Sequence, residues 1–138
     1  MSNIDNMFKY QGKTTKIIGQ SRTKQYKELY EHITSLQGNK LPFDGDYLGD
    51  NELAQNIYKH KYYLKNLNNE PVESSPEDVF KRLASFIASV EDTKTKQKIW
   101  AEKFYTDLYE GRFVSGGRVL AGAGDLYRIK TLANCFVS

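Results

Sequence analysis

Cys135 is the single cysteine of this 138-residue chain, and it stands in the run Thr131-Leu132-Ala133-Asn134-Cys135-Phe136-Val137-Ser138. Its thiol combines nucleophilic and redox chemistry in one side chain. A lone cysteine is more often a small buried hydrophobe, so its neighbourhood has to argue for chemistry. Upstream lies Gly116-Gly117-Arg118-Val119-Leu120-Ala121-Gly122-Ala123-Gly124. Glycines let backbone amides approach an anion or a sugar closely. The run is not followed by a clear helix and lacks Gly-Lys-Ser/Thr, so it is neither a dinucleotide fingerprint nor a P-loop. His32 and His60 have no Cys or His at ligand spacing, and no zinc pattern is present. Glu52, Glu73, Glu77 and Asp78 read as capping or surface acids, and no Ser-His-Asp arrangement can be argued.

The elements that must position these residues are mostly helical. Residues 1–20 are polar, with Gly12 and Gly19 and no sustained period, and read as an extended or disordered arm. Ser21 is a candidate cap for a helix to about Leu36, with Tyr26, Leu29, Tyr30 and Ile33 on one face and Gly38 ending it. Residues 37–49 carry Gly38, Pro42, Gly45 and Gly49 and form a loop, the best internal boundary. Asp50 or Asn51 caps a second helix that turns Leu53, Ile57, Tyr58 and Leu64 inward. The pair Asn68-Asn69 favours a turn, predicting a short hairpin between Tyr62-Tyr63-Leu64-Lys65 and Glu70-Pro71-Val72-Glu73. Ser75-Pro76-Glu77-Asp78 is the clearest helix start: a hydroxyl cap, a proline where no donor is needed, and two acids against the positive end of the dipole. That helix buries Val79, Phe80, Leu83, Phe86, Ile87 and Val90. Thr93 or Thr95 starts a fourth, with Ile99, Trp100, Phe104, Tyr105 and Leu108 inward and Gly111 at its end. Gly116, Gly117, Gly122 and Gly124 then break helical structure, and Thr131 to Val137 reads as a short buried strand. A single strand cannot satisfy its own backbone groups, so it must pair with something else.

Composition sets the class. Hydrophobic residues make up 39% and charged residues 27%, ordinary for a soluble domain. No apolar run approaches the roughly 20 residues a membrane helix needs, and the start carries no secretory h-region. One cysteine makes no internal disulfide, which fits a reducing, cytoplasmic setting. The net charge is +3, but residues 1–40 hold seven Lys and Arg against three acids, +4, while the remainder holds 13 against 14, −1. A basic arm can touch nucleic acid. Tyr58, Tyr62 and Tyr63 interleaved with Lys59, Lys61 and Lys65 could stack on bases, although such tyrosines are commonly packing residues.

Several segments together resemble the N-terminal part of the ribonucleotide reductase large chain, closest to its adenosylcobalamin-dependent (class II) branch. They are Tyr62-Tyr63-Leu64-Lys65, the stretch from Glu73 through Ser75-Pro76-Glu77-Asp78 to Ala84, the run from Gly111 to Gly124, and Thr131 to Val137. The resemblance covers roughly residues 50–138. It implies a mainly α fold: an N-terminal helical domain followed by the first strand of an incomplete ten-stranded α/β barrel. It implies that Cys135 lies on that strand as one of two thiols that reduce the ribose. It places Gly117, Asn134 and Cys135 at the substrate. Many relatives carry Ser-Pro-Thr where this chain has Gly117-Arg118-Val119, so backbone amides or the Arg118 charge would replace hydroxyl contacts.

The resulting division is a basic arm and first helix over 1–48, a helical domain over 49–114, and a glycine-rich loop with the first barrel strand over 115–138. The expected partners are a ribonucleoside di- or triphosphate, the downstream part of the reductase as a second chain, and a thioredoxin-like reductant. Adenosylcobalamin is the implied cofactor, bound mainly outside this chain. The setting is a bacterial or phage-infected host cytoplasm, with neither membrane nor nucleic acid as a partner. With one cysteine and the chain stopping three residues after it, the chain is expected to be a split or truncated enzyme, inactive alone. The alternative is a small basic helical module that binds nucleic acid or a protein through residues 1–65.

Overall fold

Six helices run through the described residues of a computed structural model, which covers 4–12, 16, 18–112 and 117–128. They are α1 (Ile4–Lys9), α2 (Gln20–Leu36), α3 (Glu52–Ile57), α4 (Pro76–Ala88), α5 (Lys94–Tyr109) and α6 (Gly117–Gly122). A π-helical turn, Tyr58–Tyr62, continues α3. Among the described residues the only β pairing is two isolated bridges, Gln37 with Leu41 and Lys65 with Pro71. The mainly α expectation therefore holds; the predicted strand at Thr131 to Val137 lies outside the described residues.

The N-terminal arm departs from expectation. Met7 and Phe8 on α1 are buried with Tyr26, Tyr30, Leu64, Val72 and Leu126. Two adjacent apolar residues are too few to show a period, yet enough to dock one turn of helix. The Phe8 ring meets Tyr26 edge-on, with centroids 4.8 Å apart. Helix α2 starts at Gln20 without a side-chain cap, so Ser21 does not serve; instead Thr23 Oγ1 donates to the Gly19 carbonyl at 2.8 Å. Its predicted face is buried in full: Tyr26, Leu29, Tyr30 and Ile33, with Thr23 beside them. Leu29 and Ile33 share one core with Val79, Leu83, Ala101 and Tyr105 of α4 and α5.

Asn51 caps α3, its side chain accepting the Ala54 N–H at 3.0 Å. The helix buries nothing, and Leu53 is 72% exposed, contrary to its expected inward face. The hairpin exists in reduced form. Asn66 Oδ1 accepts the N–H groups of Asn68 and Glu70, Asn69 takes a positive φ of 62°, and Val72 N–H bonds the Leu64 carbonyl at 2.8 Å. It begins at Leu64, because Tyr62 is still in the π-helical turn.

Ser75 caps α4 as predicted, with Pro76 in the first turn and Glu77 and Asp78 following. Val79, Phe80 and Leu83 are buried, while Phe86 and Ile87 are half-buried. Val90 is 59% exposed because the helix has already ended at Ala88. Thr93 caps α5. Its buried stripe is Gln97, Ala101, Tyr105 and Leu108, spaced by four, four and three, so Ile99 and Trp100 stand outside it. The small side chain of Ala101 permits close approach of neighbouring helices, and the larger Trp100 stacks on Phe104 at 5.5 Å instead. Behind this face α5 is tied to α2 through Glu102, which meets His32 at 2.9 Å and Lys40 at 2.7 Å. Burial pushes the Glu102 carboxyl up, but hydrogen bonds from Lys40 and His32 outweigh it and hold it below the usual carboxylate range.

Candidate functional site

The glycine-rich run was expected to break helical structure, yet Gly117 to Gly122 is helical. Two glycines in six residues make a poor isolated helix, so contacts with the rest of the chain must hold it. They come from α4. The run SPEDVFKR places Arg82 on the second turn of that helix, and its side chain is wholly buried. Arg82 Nη2 donates to the Leu120 carbonyl at 2.6 Å and Nη1 to the Ala123 carbonyl at 2.5 Å. These are carbonyls at the C-terminal end of α6, which the helix itself leaves without partners. Arg82 Nη2 also reaches the Tyr62 carbonyl at 3.0 Å, joining α6 to the π-helical turn.

Glu73 completes the arrangement. Arg82 Nε donates to its Oε2 at 2.9 Å and Nη2 to its Oε1 at 3.3 Å. The Leu64 N–H donates to Oε1 at 2.7 Å, which locks the base of the hairpin. Both side chains are 0% exposed. Burial works against the Arg82 charge, but the Glu73 carboxylate more than offsets it and keeps the guanidinium firmly protonated. Glu73 and Glu77 are thus buried acids, where the sequence suggested surface ones. Glu77 Oε2 accepts the N–H groups of Asp44 and Gly45, at 2.7 and 3.2 Å, fixing the loop before α3.

Beyond α6 the backbone reverses at Gly124, with φ +82°. A Cβ there would sit 2.6 Å from Tyr26 Oη and 3.0 Å from Arg82 Cγ, so only glycine fits. Asp125 Oδ1 accepts the N–H groups of Tyr127 and Arg128, at 2.8 and 3.2 Å. Arg128 then pins the chain to the hairpin tip: Nη1 donates to the Lys65 carbonyl at 2.8 Å, and Nη2 to the Asn66 carbonyl and to Asn69 Oδ1. Two buried or half-buried arginines thus hold residues 120–128 against elements far upstream.

Of the residues singled out from sequence, Gly117 opens α6. Asn134 and Cys135 lie outside the described residues, as does the strand assigned to them. His60 is exposed on the π-helical turn, and His32 is engaged with Glu102 of α5. Arg82 and Glu73 were missed. The signal that could have found them is an arginine one turn after Val79 on the apolar face of α4, where exposure would contradict the helical period. Among the described residues no group of three His, Cys, Asp or Glu side chains could hold a metal ion, and no helix is long and apolar enough to cross a membrane.

Residues 48–128 match the family described as "Ribonucleotide reductase, all-alpha domain". The match spans α3 to Arg128 and so contains Glu73, Arg82 and the whole glycine-rich run. No curated protein and no solved structure matches the chain.

Proposed function

The chain belongs to the ribonucleotide reductase family through its all-alpha domain, and from that premise we propose that it is the N-terminal part of a large chain of the adenosylcobalamin-dependent branch, reducing ribonucleotides to deoxyribonucleotides for DNA synthesis. In this reading the helical body is a mount. Arg82, Glu73 and Arg128 fix the segment after Gly117, and Asn134 and Cys135 follow six and seven residues beyond Arg128. The observation that carries the reading is the family match ending at the pinned segment, immediately upstream of the Asn-Cys-Phe-Val run.

The chemistry assigned to Cys135 is proton and electron donation. Its thiol protonates the departing 2′-hydroxyl, the C2′–O bond breaks, and water leaves. Two electrons come from Cys135 and a second thiol outside these residues, which close to a disulfide that a thioredoxin-like reductant reopens. Adenosylcobalamin, bound mainly outside these residues in this reading, would supply the radical that starts the reaction. Gly117 and Asn134 contact the substrate, a ribonucleoside di- or triphosphate, with backbone amides or the Arg118 charge in place of the hydroxyls found in many relatives.

The test is co-expression with a downstream reductase polypeptide. Deoxynucleotide should form with adenosylcobalamin and a thiol reductant, and Cys135→Ser should abolish it. Turnover that survives the substitution removes the assigned role.

A further inference from the structure

Residues 1–47 lie outside the family match, yet they meet the end of the glycine-rich run and the residues just after it, 124–127, at three described points. Tyr26 Oη donates to the Gly124 carbonyl at 2.8 Å, fully buried. Met7 Sδ accepts the Leu126 N–H at 3.5 Å. The Tyr10 ring meets the Tyr127 ring with centroids 5.3 Å apart.

Tyr26 is the firmest of the three. Its ring is held edge-on by Phe8 at 4.8 Å and by Phe86 at 5.2 Å. A ring gripped on two sides delivers its hydroxyl to one place with little rotamer freedom left to lose. The receiving carbonyl belongs to Gly124, where the backbone takes a φ that other residues rarely adopt. Tyr26 and Arg82 therefore close on the same turn from two sides, one from α2 and one from α4. Phe8 of α1 backs Tyr26, and the Arg22 guanidinium of α2 lies 5.0 Å over the Phe86 ring and bonds Ser89.

We propose that α1 and α2 are a brace for the segment 120–127, and that Tyr26 is a positioning residue that sets the turn at Gly124. The inference rests on the reductase reading for its catalytic consequence, and on the contacts above for the brace itself.

The experiment compares Tyr26→Phe with Tyr105→Phe in the full chain. Tyr105 is the control: its hydroxyl donates to the Pro42 carbonyl at 2.7 Å and accepts from Gln37 Nε2 at 3.2 Å, so that substitution deletes hydroxyl hydrogen bonds at least as numerous, away from the glycine-rich segment. Amide exchange at residues 120–126 should accelerate roughly tenfold in Tyr26→Phe, the order expected for a buried carbonyl left unpaired, and stay unchanged in Tyr105→Phe. With the downstream polypeptide present, kcat for ribonucleotide reduction should fall roughly tenfold in Tyr26→Phe only, while the two variants melt within a few degrees of each other. Equal effects of the two variants on exchange and turnover, or unchanged exchange in Tyr26→Phe, overturn the brace. A wild-type pair that reduces no ribonucleotide overturns the reductase reading instead, and the exchange measurement still decides the brace.

Discussion

Replacing Arg82 with methionine keeps much of the side chain's length and apolar stem while removing the guanidinium. The Glu73 carboxylate would then be a buried charge without its counter-ion, and the carbonyls of Tyr62, Leu120 and Ala123 would lose their shared donor. Breaking a buried pair by deleting one partner costs about 3–5 kcal/mol, and each stranded acceptor adds about 1 kcal/mol or more where water cannot reach it. Relaxation of α6 would let some of those carbonyls find water, so the net loss is about 5 kcal/mol. That is comparable with the whole stability of an ordinary domain. Adding Glu73→Gln removes the stranded charge, and the double variant should regain about 2 kcal/mol over Arg82→Met alone. Urea unfolding followed by the fluorescence of Trp100, the single tryptophan, reads both quantities. Should Arg82→Met be too unstable to measure, Glu73→Gln alone, expected to lose about 3 kcal/mol, gives the same information from the other side of the pair. A loss below about 1 kcal/mol for Arg82→Met, or a double variant no better than the single, would show that the pair is not the tie that its burial indicates.

Three further outcomes are expected. Phe8→Ala should lower stability by about 3 kcal/mol in the same urea assay, whereas a free arm would leave it unchanged. Gly124→Ala should cost about 2 kcal/mol or more, through both the positive φ and the clash with Tyr26, and thermal unfolding reads it. Glu102 is held below the usual carboxylate range when folded, so the stability it contributes is complete above the unfolded value of roughly 4.3 and is lost as the pH falls through its lower folded value. Glu102→Gln should therefore flatten the fall in melting temperature on acidification below about pH 5; an unaltered slope would show that its bonds to Lys40 and His32 contribute nothing.

What was legible in the sequence was local. The Ser75-Pro76 start, the Asn51 cap, the Asn-rich hairpin turn and the buried face of α2 each follow from a few adjacent residues whose backbone preferences need no distant partner. The inward face of α5 was misplaced because size was weighed over period: Gln97 and Ala101 fill the contact, and Trp100 does not. Helix α1 as an element was invisible because Met7 and Phe8 are buried among Tyr26, Tyr30, Leu64, Val72 and Leu126, which are remote in sequence. The helical state of Gly117 to Gly122 has the same origin, since its propensity argues against it and Arg82, some 40 residues earlier, argues for it. At the candidate site, Gly117 was legible as a backbone position, while Glu73 was read as a capping or surface acid and Arg82 was not singled out.

The upstream groups that hydrogen-bond residues 120–128 are Met7, Tyr26, Lys65, Asn66, Asn69 and Arg82. On the ribosome, where folding proceeds from the N-terminus, the dock is therefore synthesised before its guest emerges. Until Leu120 and Ala123 emerge, the guanidinium of Arg82 lacks two of its carbonyl acceptors, and their arrival is what completes its hydrogen bonds.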